Sequence, residues 1–281
     1  MDQADRSRLP IAVFDSGVGG LTVLHECLVS LPHENFVYLG DTARFPYGSR
    51  GEAELRTFAH ELAGGLIADG AKLLVVACNS ASAAALGTLR DEYGDEAPVV
   101  GVVGPESRLA ARATRNGEIG LLATPATVAS GAYERTLAEA APEATLHPVA
   151  CPDLASLIQE GGEVDERVVE SVERACEPLR EAGVDTVILG CTHYPLVRPV
   201  LQRALGRGIR LVSSGEAIAD EVDGRLAEAG LENTSGSRGS YEFRCSGDPE
   251  QFRRLGTRFL QLPLAEVAHV QVAPTQSGAP A

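Results

Sequence analysis

Two cysteines of this chain stand directly after hydrophobic segments that resemble buried strands. Residues 73–77 (LLVVA) precede Cys78, and residues 186–190 (TVILG) precede Cys191. Short apolar runs that end at small polar residues predict buried parallel strands. Open α/β sheets bind their ligands at the carboxyl ends of the strands. We therefore predict that the two thiols face one substrate.

The residues next to each cysteine favour an ionisable thiol. Asn79 and Ser80 follow Cys78, and His193 lies two residues after Cys191. A helix that begins after each cysteine would stabilise the thiolate and lower its pKa from about 8.5 towards neutrality. Amide and hydroxyl groups at such helix starts suit a carboxylate ligand. We expect His193 to orient Cys191 or to exchange a proton with it.

Three kinds of chemistry could use two thiols. A thiolate can remove a proton from one face of a carbon while a thiol returns a proton to the other face. A metal site could combine Cys78, Cys191, His193 and Asp15, although the C-x-H spacing is poor for two ligands of one metal. A single covalent nucleophile would leave the other cysteine unexplained. The pattern favours proton transfer between the two faces of one carbon.

Two further loops follow predicted strands. Residues 15–20 (DSGVGG) resemble a phosphate-binding glycine loop, but Thr22 stands where the dinucleotide pattern requires its third glycine. The alternative is that the glycines let the backbone approach a small ligand, with Asp15 as a titrating group. Residues 40–48 form either a simple turn or a ligand wall that offers the N–H of Gly48 and the hydroxyl of Tyr47.

The chain alternates strand and helix patterns, which predicts parallel sheets with helices on both faces. The predicted strands are 11–14, 36–39, 73–77, 99–102, 119–122, 146–149, 186–189 and 210–212, with a further short one at 241–244. The predicted helices are 21–30, 52–69, 81–93, 107–115, 126–140, 166–182, 196–205, 216–229 and 249–260. A loose repeat relates residues 11–16 to 119–124, and each copy precedes a strand that ends in cysteine. Two related halves would face each other across a cleft.

Length and charge restrict the class of protein. The 281 residues suffice for two domains. A net charge of −15 argues against a nucleic-acid partner and against steering of anions, so backbone N–H groups would have to hold any anion locally. No apolar run reaches the length of a membrane helix, and residues 1–9 lack the core of a secretory signal. We expect a cytoplasmic protein, in which the even number of six cysteines is not evidence of disulfides.

The motifs together resemble glutamate racemases, within the aspartate/glutamate racemase superfamily. The segments that carry the resemblance are 15–22 (DSGVGGLT), 40–41 with 46–48 (GD and PYG), 77–79 (ACN) and 190–195 (GCTHYP). They extend over residues 11–215, and the last segment points to the glutamate branch. The resemblance implies cofactor-independent interconversion of L- and D-glutamate, which supplies D-glutamate for peptidoglycan.

The resemblance also implies roles for individual residues. Cys78 would take the proton from D-glutamate with help from Asp15, and Cys191 the proton from L-glutamate with help from His193. The implied substrate contacts are Asp15, Ser16, Pro46, Tyr47, Gly48, Cys78, Asn79, Ser80, Thr124, Cys191, Thr192 and His193. The implied fold has two pseudo-symmetric α/β domains, with the site between them. We predict a first domain of residues 1–103 plus 213–270, a second of 104–212 and a flexible tail of 271–281.

Some positions depart from the family pattern. Ser80 replaces a threonine, and Ala123 replaces a glycine. Gln159 stands where the family commonly has a glutamate near the active site, so either Glu160 takes that place or the carboxylate is absent. An aspartate racemase and a non-catalytic protein that binds acidic amino acids are the alternatives. The oligomeric state is open, with a homodimer as one expectation.

Overall fold

The fold consists of two parallel β-sheets, each packed between helices. The computed structural model describes residues 3–160, 164–264 and 266–272. One sheet has six strands and the other has four, and every strand pair is parallel. The predicted α/β class with two parallel sheets is confirmed. The division of the chain into domains at residues 103/104 and 212/213 stays a prediction.

The six-stranded sheet joins the first part of the chain to its last part. Its strands, in chain order, are β1 (Ile11–Asp15), β2 (Phe36–Gly40), β3 (Leu73–Val76), β4 (Val99–Gly101), β9 (Tyr241–Cys245) and β10 (Ala268–His269). The order across the sheet is β10-β9-β2-β1-β3-β4. The returning strand β9 pairs with β2 over its whole length.

The four-stranded sheet comes from the middle of the chain. Its strands are β5 (Glu118–Ala123), β6 (Thr145–Ala150), β7 (Thr186–Gly190) and β8 (Arg210–Ser213), and their order is β6-β5-β7-β8. The central strands of both sheets are buried along their length because helices cover both faces. This double burial explains why β1, β3 and β7 are nearly continuous hydrophobic runs.

Twelve α-helices connect and cover the strands in the described part of the chain. They are α1 (Gln3–Ser7), α2 (Leu21–Ser30), α3 (Glu52–Ala68), α4 (Asn79–Tyr93), α5 (Val103–Ala113), α6 (Pro125–Ala129), α7 (Ala132–Ala140), α8 (Leu154–Glu160), α9 (Glu166–Glu181), α10 (Arg198–Leu205), α11 (Ser214–Ala229) and α12 (Pro249–Leu260). A short 3-10 helix, Tyr194–Val197, precedes α10. None of the helices in these ranges is both long and apolar enough to span a lipid bilayer.

The helices differ from the sequence prediction in several places, the first being α1, since no helix was predicted before residue 21. Helix α5 begins at Val103, before the predicted start at residue 107. The predicted helix 126–140 is two helices, because Gly131 adopts a left-handed conformation (φ 62°) between α6 and α7. Helix α8 was not predicted, since only Leu154 and Ile158 of its short length are buried.

The predicted flexible tail falls mostly outside the described residues. Residues 273–281 lie beyond them, and nothing is concluded about that part of the prediction. Val272 is described, and it packs with Val270 against the apolar cluster that includes Leu62 and Leu66 of α3. The chain therefore contacts the first sheet's helical layer at least as far as Val272.

Candidate active site

A cavity lies where the carboxyl ends of strands from both sheets meet. Ser16 follows β1, Cys78 follows β3, Thr124 follows β5 and Cys191 follows β7. The predicted site residues that line the cavity are Ser16, Pro46, Tyr47, Gly48, Cys78, Asn79, Ser80, Thr124, Cys191, Thr192 and His193. The cavity volume is about 40 Å³, well below the roughly 300–1,000 Å³ of typical ligand pockets. The two walls must therefore separate to admit an amino acid.

Cys78 is the N-cap residue of α4, as the sequence predicted. Its side chain is buried, and burial raises the pKa of the thiol to about 12. The negative charge of Asp15 raises this pKa further, while hydrogen bonds from Ala81 and Ser16 lower it. The expectation of a pKa near neutrality is wrong for Cys78, because desolvation exceeds the effect of the helix terminus.

Cys191 is not at the start of an α-helix. It follows β7 and is separated from α10 by the 3-10 helix Tyr194–Val197. Burial raises the pKa of the Cys191 thiol well above its usual range, and the backbone of His193 opposes this shift. The charge of Cys78 also raises this pKa, since the two sulfurs interact electrostatically. Both thiols are therefore protonated at neutral pH.

The His193 ring lies between Cys191 and Gln159. Nδ1 is 3.9 Å from Sγ of Cys191, and Nε2 is 2.9 Å from Oε1 of Gln159. Since an amide oxygen only accepts hydrogen bonds, Nε2 carries the proton and Nδ1 presents a lone pair to the thiol. Burial lowers the pKa of His193 to about 3, so the ring is neutral. Phe45 and Phe259 pack on the ring, with centroid distances of 5.4 and 5.0 Å.

The sequence left open whether Gln159 or Glu160 lies near the active site. The structure places Gln159 there. Gln159 contacts His193, whereas the side chain of Glu160 is exposed. No one-residue slip brings Glu160 to the histidine. The partner of His193 Nε2 is therefore a neutral amide.

Asp15 lies behind the cavity lining and is fully buried. Gly17 N–H donates to Oδ2 at 3.0 Å, and Thr192 Oγ1 donates to Oδ1 at 3.3 Å. Burial raises the pKa of Asp15, and the backbone hydrogen bonds from Gly20 and Gly17 oppose the increase. The carboxyl connects the loop after β1 to the loop after β7.

The glycine loop fits closely against the second sheet's loop. A Cβ at Gly19 would lie 2.4 Å from both His193 Nδ1 and Thr192 Oγ1. This close approach to protein side chains explains the glycine, while approach of the loop to a small ligand stays a prediction. At the opposite wall, a Cβ at Gly48 would lie 2.7 Å from Thr124.

Hydroxyl groups connect the two sheets beside Cys78. Ser80 Oγ is 2.9 Å from Thr124 Oγ1 and 3.1 Å from Thr127 Oγ1. Ser80 belongs to α4, and Thr124 caps α6 by accepting from Thr127 N–H. These hydroxyls can each donate or accept, so they can rearrange around a carboxylate.

The loop after β2 differs from the prediction that the Tyr47 hydroxyl is offered to a ligand. The hydroxyl of Tyr47 donates to Asp41 Oδ2 and does not face a ligand, although the ring lines the cavity. Asp41 also accepts hydrogen bonds from Arg44 and Ser246, and these contacts fix the loop. Of the groups predicted to form a ligand wall, Gly48 and the ring of Tyr47 line the cavity, whereas the Tyr47 hydroxyl is bound to Asp41.

Sequence reasoning missed part of the cavity wall. The additional lining residues are Phe45, Ser49, Pro152, Ala155, Ser156 and Gly190. The segment around Pro152 follows β6, so the rule that places ligands at strand carboxyl ends could have found it. Lys and Arg do not occur among the described residues that line the cavity.

The remaining cysteines lie away from the cavity lining. Cys27, Cys151, Cys176 and Cys245 are buried and free. Within the described ranges, no group of three or more His, Cys, Asp or Glu residues is arranged to hold a metal ion.

Comparison with known proteins defines the class of this enzyme. Residues 23–222 match the model of the Asp/Glu/Hydantoin racemase family. The glutamate racemase of Beutenbergia cavernae is 48% identical over an alignment of 264 residues, which covers 90% of this chain and 90% of that protein. The chain therefore belongs to the Asp/Glu/Hydantoin racemase family. It is an amino-acid racemase.

Solved structures agree with this assignment. Glutamate racemase isoform RacE1 from Bacillus anthracis has a TM-score of 0.90 and 36% identity, covering 95% of this chain and 98% of that one. Glutamate racemase from Francisella tularensis, solved in complex with D-glutamate, has a TM-score of 0.88 and 30% identity, with 95% and 98% coverage. The resemblance to glutamate racemases is confirmed over nearly the whole chain.

Proposed function

We propose that this enzyme interconverts L- and D-glutamate by proton transfer at Cα between two cysteines. The observation that carries the proposal is that Cys78 and Cys191 line one cavity from strands of different sheets. Each has a potential proton-transfer partner, Asp15 for Cys78 and His193 for Cys191. The names of the relatives support glutamate as the substrate.

The proposed chemistry balances with one thiolate and one thiol. The Cys78 thiolate takes the Cα proton of D-glutamate and becomes a thiol, while the electron pair stays on the substrate. The Cys191 thiol then gives its proton to the opposite face and becomes a thiolate. In the reverse direction the two cysteines exchange roles, so neither direction consumes a co-reactant.

His193 suits the role of proton acceptor for Cys191. The lone pair on Nδ1 faces Sγ, because the ring proton is on Nε2, which donates a hydrogen bond to Gln159. A neutral imidazole can accept the thiol proton and return it later in the cycle. Asp15, whose pKa is raised by burial, would play the corresponding part for Cys78.

Neutral groups would bind the two substrate carboxylates. Cationic side chains are missing from the described cavity lining, so backbone N–H groups and hydroxyls such as those of Ser80 and Thr124 would be the donors. The proposed contacts are Ser16, Pro46, Tyr47, Gly48, Cys78, Asn79, Ser80, Thr124, Cys191, Thr192 and His193, with Asp15 directly behind this lining. Tyr47 would contribute its ring.

The wider role rests on the resemblance and not on the cavity. We propose that the reaction needs no cofactor, takes place in the cytoplasm and supplies D-glutamate for peptidoglycan. A homodimer remains the proposed assembly. An aspartate racemase is the second candidate, and relative rates on the two substrates decide between them.

Deuterium exchange tests the two-thiol reaction. In D₂O, D-glutamate formed from L-glutamate should carry deuterium at Cα. Cys78→Ser and Cys191→Ser should each abolish racemisation, and Cys176→Ser is a matched control at a buried cysteine away from the cavity. Retained racemisation by either cavity variant would contradict the mechanism. Glutamate binding without any change in optical rotation would instead favour a non-catalytic binding protein.

A further inference from the structure

A buried carboxyl group that the proposed reaction does not use lies behind the cavity. Glu106 belongs to the first turn of α5 and is fully buried. Its Oε1 contacts Ser214 Oγ of α11 at 2.5 Å, and its Oε2 contacts Tyr133 OH of α7 and Asn79 Nδ2 of α4, the latter at 3.1 Å. Four helices thus meet at one carboxyl group.

This cluster determines how the amide of Asn79 is oriented. Nδ2 has two hydrogens, which bond Tyr133 OH at 2.8 Å and Glu106 Oε2 at 3.1 Å. Both donors of the amide are therefore used on the side away from the cavity. If the amide were reversed, its oxygen would face the carboxyl oxygen, and two acceptors would be in contact.

The other end of the same amide has no partner. Asn79 is 2% exposed and lines the cavity, while its Oδ1 is buried without a hydrogen bond from any described residue. A buried acceptor without a donor carries a desolvation cost. A ligand that brings an N–H donor into the cavity would remove this cost. The free Oδ1 therefore points to a ligand with a hydrogen-bond donor.

We propose that Glu106 is a positioning residue, which with Tyr133 holds the Asn79 amide so that Oδ1 accepts a hydrogen bond from the substrate's ammonium group. This inference rests on the proposed function, because it requires an α-amino acid in the cavity. It assigns recognition of the ammonium group to Asn79 and the control of that recognition to a residue outside the cavity lining.

The orientation of the amide is the same in both protonation states of Glu106. Burial raises the pKa of Glu106 to about 8, so the neutral acid is the main form at neutral pH. The neutral acid can donate from Oε1 to Ser214 Oγ, while Oε2 still accepts from Asn79 and Tyr133. A glutamine at this position reproduces the pattern, since its amide nitrogen donates and its oxygen accepts.

The test compares glutamate with glutarate, which has both carboxylates but no ammonium group. In Glu106→Leu, the KM for L-glutamate should rise about tenfold or more, as for a lost hydrogen bond to a charged group. The inhibition constant of glutarate should change less than about threefold. Glu106→Gln should restore the KM for glutamate to within about threefold of the wild type.

The outcomes distinguish a failure of the inference about Glu106 from a failure of the proposed function. An equal loss of glutamate and glutarate affinity in folded Glu106→Leu overturns the inference, because it indicates general damage to the cavity. If Glu106→Leu does not fold, Tyr133→Phe decides in the same assay, since it removes one of the two acceptors for Asn79 Nδ2. A wild-type enzyme that does not racemise glutamate contradicts the proposed function, whatever the variants do.

Discussion

The Nε2 of His193 lies 2.9 Å from the Oε1 of Gln159, and this contact sets the tautomer of the imidazole. Because the amide oxygen accepts the Nε2 proton, Nδ1 faces Cys191 as an acceptor. An uncharged partner also gives no electrostatic support to an imidazolium. The buried ring is therefore neutral, which a carboxylate at the same place would oppose.

Gln159→Glu should make catalysis sensitive to acid. The new carboxylate would favour the imidazolium and raise the pKa of His193 from about 3. As the pH falls below the raised pKa, Nδ1 gains a proton and cannot accept one from Cys191, so kcat should fall. In the wild type, protonation of His193 should not lower kcat above about pH 5. The measurement is kcat against pH, with Gln251→Glu as an exposed control for the added charge. Identical profiles of kcat against pH for the wild type and Gln159→Glu would contradict the proposed role of the contact between His193 and Gln159.

Gly19→Ala should disrupt the contact between the two loops. The added methyl group would lie 2.4 Å from His193 Nδ1 and Thr192 Oγ1, so one loop must move. We expect a destabilisation of about 1–3 kcal/mol and a loss of kcat/KM of at least about tenfold. Urea unfolding and initial rates measure the two effects.

The control for this glycine is Gly65→Ala, which lies on the exposed side of α3. A Cβ there contacts nothing within 4 Å. Alanine inside a helix should stabilise the protein by about 0.5–1 kcal/mol and leave the rate unchanged. Equal behaviour of the two variants would show that the close approach at Gly19 is not limiting.

Glu106 should make the enzyme less stable as the pH rises. Its pKa is raised from 4.5 in the unfolded chain to about 8 in the folded state, so the folded state binds the proton more tightly. The stabilisation is complete below pH 4.5 and is lost as the pH rises through about 8. Relative to Glu106→Gln, the wild type should lose unfolding free energy across this range. Urea titrations of both proteins at several pH values test this, and a constant difference between them would contradict it.

Lys72→Met should be strongly destabilising. Lys72 is the chain's one lysine, and its buried ammonium pairs with Glu34 and donates to Leu231 O at 2.8 Å. Removal of the cation leaves the Glu34 charge buried and unpaired, which costs about 3–5 kcal/mol. Urea unfolding measures the loss. Adding Glu34→Gln to Lys72→Met should recover part of it, since the unpaired charge is gone. If the double variant is no more stable than the single one, the ion pair is not the cause.

The buried strands could be predicted because burial on both faces gives a continuous apolar sequence pattern, whereas the short, exposed β10 was not predicted. The same pattern did not locate the end of α6, because helical periodicity continues through Gly131 and the break depends on its left-handed backbone. Helix α8 was missed for the opposite reason, since a short helix with two buried residues leaves a weak signal.

The residues at the strand ends were also predictable, but their electrostatics were not. The thiol pKa values depend on how deeply the folded chain buries Cys78 and Cys191, and the local sequence does not encode this depth. Glu106 gave no signal, because its partners are contributed by α4, α7 and α11. Only the folded structure brings these groups together.

The return of the chain to the first sheet also has a consequence for biosynthesis. Strand β9 pairs with β2, and Ser246 contacts Asp41 across a separation of 205 residues. Because the chain is synthesised from its N-terminus, β5–β8 can assemble before β9 has been made. The outer edge of β2 then still lacks β9, its neighbour in the sheet. Such an open edge can pair with other nascent chains. We therefore expect the sheet that carries Cys78 to gain its last strands, β9 and β10, only after the strands of the other sheet have been translated.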